Sequence, residues 1–272
     1  MSLVSTEWLD NNHSEVKIID ASWHMPNTNR NAYQEYKKEH IKNAIFFDID
    51  KFSNKKTELP HMLPNEEEWE KIVSNLGITN EDRIIVYDNS DVISSCRCWY
   101  TFIFFGHNPN LISVLNGGFL KWKKENRETS DKVSNYKKKN YRAKKIPQLV
   151  KSKEEIDKNI LEKKFQVVDA RSKSRFLGLE KEPRKNVKSG SIQNSYCLFF
   201  GELINPKDKT FIEKNLIKEK FTNIGISNEK NVVFSCGSGI TAAVLGLAYS
   251  TINDKYLPAI YDGSWAEYGK IK

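Results

Sequence analysis

Long apolar runs, paired cysteines and nucleotide-binding glycine motifs are all missing from this 272-residue sequence. No stretch approaches the roughly eighteen consecutive apolar residues that a membrane-spanning helix needs, so no membrane span is expected. None of the four cysteines stands in a C-x-x-C pair, which argues against the usual zinc and thioredoxin-like redox motifs. Neither G-x-G-x-x-G nor G-x-x-x-x-G-K-[ST] occurs, so nucleotide binding has no support. We therefore expect no metal and no organic cofactor.

Acidic residues are in deficit, with 35 against 43 lysines and arginines, and the formal net charge is +8. Such a chain can bind nucleic acid or attract small anions. The densest basic run, from Lys137 to Lys145, matches no nucleic-acid motif and has only Tyr136 and Tyr141 as aromatic neighbours. A solvated, lysine-rich surface is the interpretation we prefer, and no nucleic-acid partner is expected.

The first twenty residues carry acidic and polar side chains where a secretory signal needs a basic start and an apolar run. A cytoplasmic location is the expectation that follows. In that reducing compartment Cys96, Cys98, Cys197 and Cys236 are predicted to be free thiols. Most free thiols are small core residues, so the useful question is which one is activated.

Internal repetition is the strongest organisational signal in the chain. Five segments recur in the same order at offsets of 149, 151, 148, 148 and 146 residues. The first, Val16 to Ala21, recurs as Gln166 to Ala170 and is aligned at Asp20 and Asp169. The others begin at His40, Leu76, Ile84 and Asn116, and their second copies begin at Ser191, Ile224, Val232 and Asp262. The repetition predicts two homologous domains, at residues 1–128 and 151–272, joined by a lysine-rich linker at 129–150.

Each copy alternates short β-branched runs with helical segments, which predicts an α/β fold with a mainly parallel sheet covered by helices on both faces. Predicted strands are Ile84 to Tyr87, Leu111 to Leu115, Val167 to Val168, Val232 to Phe234 and Ala259 to Tyr261, and predicted helices are Arg97 to Phe105 and Thr241 to Tyr249. Ligands of such folds bind at the carboxyl ends of the strands.

One strand end carries a distinctive loop, Cys236-Gly-Ser-Gly-Ile-Thr241. The two glycines allow a tight turn whose N–H groups point inward, and the following helix adds its positive end; together they stabilise a thiolate. Cys236 can also be merely a small residue that ends a strand, but a plain turn does not need the glycines. The sixth residue after Cys236 is Ala242 rather than the arginine of a phosphatase loop, and the first copy has Asp88 in place of the thiol.

Two tandem copies with one active cysteine in the second resemble the rhodanese family of sulfurtransferases, over nearly the whole chain. The loop C-G-S-G-I-T is similar to that of its 3-mercaptopyruvate branch, whereas the thiosulfate branch typically has C-R-K-G-V-T. Further motifs similar to that branch are Asp169-Ala-Arg-Ser-Lys-Ser-Arg175-Phe, Glu182-Pro-Arg184, Phe46 to Asp50, His61 to Pro64 and Tyr261 to Trp265.

The resemblance implies a mechanism and a set of site residues. Cys236 would take sulfur from 3-mercaptopyruvate as a persulfide, release pyruvate and pass the sulfur to a thiol acceptor such as thioredoxin, or to cyanide in vitro. Arg175 and Arg184 would bind the substrate oxygens, a task that suits a guanidinium fork, while Arg171 is assigned to structure. The remaining loop residues would line the substrate site: Gly237, Gly239, Ile240 and Thr241.

The resemblance also implies a proton relay of Ser238, His61 and Asp50, with His61 and Asp50 lining the cleft of the second domain. Ser238 as a helix cap and His61 as an inter-domain contact are the structural alternatives. In one place the sequence departs from the family: its G-H-I-P-G motif reads Gly190-Ser191-Ile192-Gln193-Asn194, which puts local fold details at 190–197 in question.

Three rival functions stay open at this point. A thiosulfate sulfurtransferase would want cations at 237 and 238, where this chain has glycine and serine. A non-catalytic sulfur carrier or binding module would have no use for paired substrate arginines. A basic nucleic-acid binder would show salt-dependent DNA binding.

Overall fold

The computed structural model describes residues 2–226, 231–253 and 256–271, which form two compact units. The first unit takes up Met1–Asn54, Pro64–Ile146 and Asn205–Phe211, and the second takes up Lys55–Leu63, Pro147–Ile204 and Ile212–Lys272. A short segment of the first sequence copy, 55–63, therefore belongs to the second unit, and 205–211 belongs to the first. Of the repeated segments, the copy that begins at Ile224 lies partly outside the described residues.

The first unit is built on a five-stranded parallel sheet in the order β1-β6-β5-β2-β4. Its strands, with the separate antiparallel pair β3–β7, are β1 Leu3–Val4, β2 Lys17–Asp20, β3 His40–Ile41, β4 Ile45–Phe46, β5 Ile84–Tyr87, β6 Ile112–Leu115 and β7 Thr129–Ser130. Its helices are α1 Thr6–Asn11, α2 Ala32–Lys38, α3 Ile49–Phe52, α4 Glu66–Asn75, α5 Ser95–Phe104 and α6 Gly118–Lys124.

The second unit repeats this sheet topology, in the order β10-β9-β11-β12-β8, again with every pair parallel. Its strands are β8 Val150–Lys151, β9 Phe165–Asp169, β10 Tyr196–Cys197, β11 Asn231–Ser235 and β12 Ala259–Tyr261. Its helices are α7 Lys153–Glu162, α8 Lys173–Phe176, α9 Lys214–Asn223, α10 Ile240–Ile252 and α11 Ser264–Tyr268. The predicted α/β fold of two similar parallel sheets is confirmed.

The central strands of both sheets are buried on both faces, which is why they read as continuous apolar runs rather than alternating ones. Their flanking helices begin at signals visible in the sequence. Asn65 and Ser152 each form a capping box with the glutamate three residues later, which fixes the starts of α4 and α7. Helix α10 is apolar all round and almost wholly buried, so the helix behind the cysteine loop is part of the core.

Residues 136–146, inside the predicted linker, pack along the first unit. Tyr141 is buried, Lys139 donates its backbone N–H to the carbonyl of Ser74, and Lys144 donates to that of Phe105. The lysine side chains of this run extend outward, because only the backbone and the single buried tyrosine are needed to hold the segment.

The turn at 190–194 keeps its shape despite Ser191 and Gln193. Ile192 is buried, and Asn194 adopts a left-handed conformation with φ of 61°, as Asn43 does with φ of 60° at the matching place in the first copy. Asparagine tolerates this region better than most residues, so the repeat preserves the turn through its asparagines. None of the described helices is long and apolar enough to cross a membrane.

Asp20 ends the central strand β2 of the first unit, and it gives a testable pH dependence. Burial raises the pKa of its carboxyl from an ordinary 3.8 to about 6, although Ser22 donates two hydrogen bonds to it. The folded protein thus holds a proton on Asp20 that the unfolded chain loses, so the contribution of Asp20 to stability falls as pH rises from about 4 to about 6. The full effect is about 3 kcal/mol in the free energy of unfolding.

Asp20→Asn keeps an oxygen acceptor for Ser22 and cannot ionise. We expect the free energy of unfolding of the wild type, measured by urea denaturation, to fall relative to that of Asp20→Asn across this pH range. Asp131→Asn, at an exposed position of the same unit, is the matched control and should keep the wild-type slope. Parallel curves for the wild type and Asp20→Asn would contradict the assignment.

Candidate active site

Cys236 directly follows β11, the central strand of the second sheet, and its loop is held by the start of α11. The backbone N–H of Cys236 donates to Ser264 Oγ at 3.1 Å. In return the carbonyls of Cys236 and Gly237 accept from the N–H groups of Trp265 at 2.9 Å and Ala266 at 3.0 Å. These bonds hold the backbone of the loop against the start of α11 and do not involve the thiol group of Cys236.

The thiol lies at the positive end of a long helix. Cys236 is 2% exposed, and its Sγ accepts a hydrogen bond from the backbone N–H of Gly239 at 3.1 Å. Gly239 caps the 13-residue helix α10 in a left-handed conformation with φ of 81°, which glycine adopts without strain. An N–H donor and a helix N-terminus both favour a negative charge on sulfur, so the geometry suits a thiolate or a persulfide anion.

The other three thiols lie in surroundings that keep them protonated. Cys96 and Cys98 are fully buried in α5, and burial raises the pKa of each well above its ordinary value. Burial, helped by the negative charge of Asp169, raises the pKa of Cys197 to about 11. The raised pKa values make these three thiols poor nucleophiles near neutral pH, whereas the sulfur of Cys236 has a backbone N–H donor.

Arg175 and Arg184 meet above the cysteine loop, and both are held there by one buried carboxylate. Arg175, from the short helix α8, donates from Nη2 to both oxygens of Glu182 at 2.8 Å. Arg184 donates from Nη1 to Glu182 Oε1 at 3.1 Å and from Nη2 to Ser238 Oγ at 3.1 Å. The two guanidinium groups that were predicted to bind substrate thus share one anchor.

A third arginine, Arg171, supports this arrangement from below. It pairs with Asp169 through three hydrogen bonds of 2.7 to 3.1 Å, donates to the carbonyl of Gly190 at 2.7 Å, and lies over the ring of Trp265. Its Nη1 lies 3.6 Å from Glu182 Oε2. Arg171 is 3% exposed and paired with a buried carboxylate, although its Nη1 has no hydrogen-bond partner among the described residues. This burial suits the structural role that the sequence analysis assigned to it.

Ser238 and His61 are brought together, and both are buried. His61 Nδ1 lies 3.0 Å from Ser238 Oγ, and both residues belong to the second unit because the segment 55–63 packs with it. His61 adopts a left-handed backbone conformation with φ of 60°, a costly geometry for a histidine that is retained only where its surroundings fix it. The serine hydroxyl therefore contacts both a histidine ring and the guanidinium of Arg184.

Asp50, the third residue of the predicted relay, belongs to the first unit. There it lies in the first turn of α3, and its Oδ2 accepts a hydrogen bond from the indole N–H of Trp23 at 2.9 Å. Its role in proton transfer stays a prediction.

The remaining loop residues lie where the sequence placed them, at the junction of strand and helix. Ile240 is buried and Thr241 is partly exposed in the first turn of α10. Gly237 lies directly beneath the arginines: a Cβ atom there would lie 3.0 Å from Arg184 Nη1 and 3.6 Å from Arg175 Nη2.

The close approach at Gly237 gives a second prediction. Gly237→Ala should push the Arg184 guanidinium away from the loop and lower kcat/KM for an anionic donor by about 10-fold, because misplacement of a binding group is costly. The reactivity of Cys236 toward iodoacetamide, a neutral reagent that does not need the arginines, serves as the control and should change little. An unchanged kcat/KM for the donor would show that the guanidinium adapts to the added methyl group.

The first unit has an acid in place of the nucleophile. Asp88 follows β5 as Cys236 follows β11, and its carboxylate accepts from the backbone N–H groups of Ser90 at 2.7 Å and Ser95 at 2.9 Å. The loop donors of this copy are thus occupied by the protein's own carboxylate, and no thiol stands at the end of this strand.

Two residues of the site were not assigned from the sequence. Ser264 holds the Cys236 N–H, and Glu182 holds the two arginines. Glu182 stands in the motif Glu182-Pro-Arg184, so its neighbourhood was visible, but nothing in the motif shows which charged residues the carboxylate contacts. The signal for Ser264 is fainter: it lies within the last repeated motif, at the start of a helix, and the motif does not show that its hydroxyl accepts from the Cys236 N–H.

Comparison with known proteins agrees with the repeat. The Rhodanese-like domain matches residues 5–125 and again 152–270. Thiosulfate/3-mercaptopyruvate sulfurtransferase 1, mitochondrial, of Arabidopsis thaliana is 37% identical over 98% of this chain and 75% of its own length. The 3-mercaptopyruvate sulfurtransferase of Mus musculus is 34% identical over 98% of this chain and 91% of its own length.

Among solved structures, SseA from Escherichia coli, described as a 3-mercaptopyruvate sulfotransferase, superposes with a TM-score of 0.87 at 30% identity. The match covers 97% of this chain and 99% of SseA. Both halves of the chain are accounted for together. The chain therefore belongs to the rhodanese family.

Proposed function

We propose that this protein is a sulfurtransferase that takes sulfur from 3-mercaptopyruvate through a persulfide on Cys236. One observation carries the proposal: two guanidinium groups converge directly above a glycine loop whose N–H holds a recessed thiol. That arrangement offers a nucleophile for sulfur and a binding site for a planar keto acid in one place. Named relatives with 3-mercaptopyruvate as substrate support it further.

The first half-reaction moves one sulfur atom. The Cys236 thiolate attacks the sulfur of 3-mercaptopyruvate and forms an S–S bond. The C–S bond breaks, and its electron pair passes to the carbon of the departing pyruvate enolate. The enolate takes up the proton of the donor thiol and leaves as pyruvate, while the persulfide anion stays on Cys236. Kinetics of the ping-pong type follow, since the enzyme holds sulfur between its two substrates.

Electrostatics supports both charged species in this step. The guanidinium groups of Arg175 and Arg184 stabilise the carboxylate and the enolate oxygen of the donor, as preorganised donors do at a developing charge. The Gly239 N–H and the end of α10 stabilise the sulfur anion. Loop and arginines thus act on opposite ends of the same breaking bond.

A short proton path accompanies the bond breaking. Ser238 Oγ, between His61 Nδ1 and Arg184 Nη2, is positioned to pass a proton from the donor thiol toward the enolate carbon. Ser238→Ala is then expected to slow the first half-reaction more than the second, because only the first moves a proton to carbon.

The second half-reaction needs a thiol acceptor. Cys236 is 2% exposed, so we propose a small thiol or a protruding thiol such as that of reduced thioredoxin. The four cysteines are all free, which fits a reducing compartment, and we propose the cytoplasm as the location.

The test compares two donors. Sulfur transfer from 3-mercaptopyruvate and from thiosulfate is measured side by side with cyanide as acceptor, and pyruvate release is followed in the first case. We expect 3-mercaptopyruvate to be preferred by about 100-fold or more in kcat/KM, since each lost guanidinium–carboxylate contact costs on that order.

The second candidate function is thiosulfate sulfurtransfer, favoured by the double name of the Arabidopsis relative. A preference for thiosulfate in the same assay would establish it and leave Cys236 as the nucleophile. No transfer from either donor in folded protein would favour a sulfur carrier or binding module instead.

A further inference from the structure

Glu182 is a buried carboxylate shared by three arginines, and no step of the proposed reaction requires it to react. Its side chain is 2% exposed. Its two oxygens accept from Arg175 and Arg184 and lie 3.6 Å from Arg171 Nη1. A buried carboxylate is retained only when it is paired, and here one anion has three cationic partners.

The positive and negative charges in this cluster nearly cancel. Arg171, Arg175 and Arg184 carry three positive charges, and Asp169 and Glu182 carry two negative ones, so the five groups sum to +1. The charge of Arg171 is neutralised by Asp169, with which it forms an ion pair. Glu182 therefore cancels one of the two charges that Arg175 and Arg184 would otherwise present to a ligand.

The position of Glu182 is itself fixed by its own loop. Its backbone N–H donates to Ser189 Oγ at 3.2 Å, and that hydroxyl donates to the carbonyl of Glu180 at 3.0 Å. The carboxylate accepts hydrogen bonds from Arg175 Nη2 and Arg184 Nη1. Arg175 Nε is buried without a hydrogen-bond partner in the described part of the chain. The guanidinium planes are thus oriented before any ligand arrives.

We propose that Glu182 is a positioning residue that sets the specificity of the site for a donor with one carboxylate over an inorganic dianion. This inference rests on the proposed function. With Glu182, the arginine pair has a net charge of +1, which matches a monocarboxylate. Without that carboxylate the pair would have a net charge of +2, which matches thiosulfate or sulfate. The Gly237-Ser238 pair of the loop adds no cation of its own.

The experiment uses Glu182→Gln, which has the same shape and no charge, in the full-length protein. We expect kcat/KM for 3-mercaptopyruvate to fall, and the ratio of thiosulfate to 3-mercaptopyruvate kcat/KM to rise by about 10-fold or more, as a unit charge near a dianion has effects of that order. The salt dependence of thiosulfate transfer should become steeper, because the dianion then meets a site of higher charge.

Two controls distinguish the effect of the charge at Glu182 from the effect of removing a negative charge elsewhere and from the effect of changing the side chain's shape. Glu180→Gln removes the same unit charge from the same loop at an exposed residue and should leave the donor ratio within about 2-fold, because solvent screens it. Glu182→Asp keeps the charge and shortens the side chain, so activity should fall while the donor ratio stays near that of the wild type. If Glu182→Gln does not fold, Glu182→Asn and Glu182→Asp form a second pair that differs in charge alone.

A direct binding measurement keeps this inference separate from the proposed function. Sulfate binding is titrated calorimetrically into wild type and Glu182→Gln, and the variant should bind sulfate at least about 10-fold more tightly. This outcome does not depend on any sulfur transfer. Equal sulfate affinity, or equal losses with both donors and unchanged salt dependence, would overturn the role of Glu182, whereas failure of the wild type to use 3-mercaptopyruvate would overturn the proposed function alone.

Discussion

Cys236→Ser is expected to lose sulfur transfer from every donor, by a factor of about 10⁴ or more, because the hydroxyl that replaces the thiol cannot form a persulfide. The serine is slightly smaller and can still accept from Gly239 N–H, so the fold should survive. The measurement is cyanide-dependent thiocyanate formation with 3-mercaptopyruvate and with thiosulfate. Intact mass after exposure to 3-mercaptopyruvate without acceptor should show one added sulfur atom in wild type and none in the variant.

Cys197→Ser is the matched control. Cys197 lies in the same unit at the end of the edge strand β10, partly exposed, and burial raises its pKa to about 11. It should keep nearly full activity and the added sulfur. Loss of activity in Cys197→Ser, with transfer retained in Cys236→Ser, would reverse the assignment of the nucleophile.

Arg184→Gln is expected to lower kcat/KM for 3-mercaptopyruvate by about 10² to 10³, which corresponds to losing one charge-assisted partner of a bound carboxylate. Arg184 is the arginine that contacts both Glu182 and Ser238, so its removal affects substrate binding and the proton path together. Arg184→Lys should recover only part of the loss, because an ammonium group cannot make both contacts in one plane. Steady-state kinetics with both donors measures these effects.

Lys185→Gln provides the control, since it removes an exposed positive charge from the adjacent residue. We expect it to change kcat/KM by less than about 2-fold. Similar losses in Arg184→Gln and Lys185→Gln would mean that the general positive field, rather than the fork above the loop, binds the donor.

Much of the fold followed from local pattern. The runs at Ile84 and Val232 are apolar and β-branched, and strands buried on both faces have that composition wherever they occur. The repetition of these runs with the glycine–aromatic motifs predicted two copies of one topology, and the two sheets confirm it. The glycine loop after β11 could also be predicted from the sequence, because the turn requires a residue in the left-handed conformation at Gly239 and glycine adopts it readily.

The detailed contacts of the site were less accessible. The sequence separates His61 from Ser238 by 177 positions, and only the packing of the segment 55–63 with the second unit brings the two side chains within 3.0 Å. Arg175 and Arg184 were assigned through motifs, yet their common partner Glu182 was not. Charged residues have no periodicity that reports their partners, so pairing is decided by where the chain folds back.

The sequence by itself determined the duplicated α/β architecture. It also marked the glycine loop after β11 as a candidate thiol site, with Cys236 as the candidate nucleophile. These depend on residue types at short spacing, which act through local backbone geometry and burial. Tertiary structure alone decided that Glu182 pairs with both Arg175 and Arg184 and that Ser238 lies between His61 and Arg184. It also decided that Asp20 is buried enough for its pKa to rise. Those properties depend on desolvation and on contacts between distant segments, which exist only once the chain has packed.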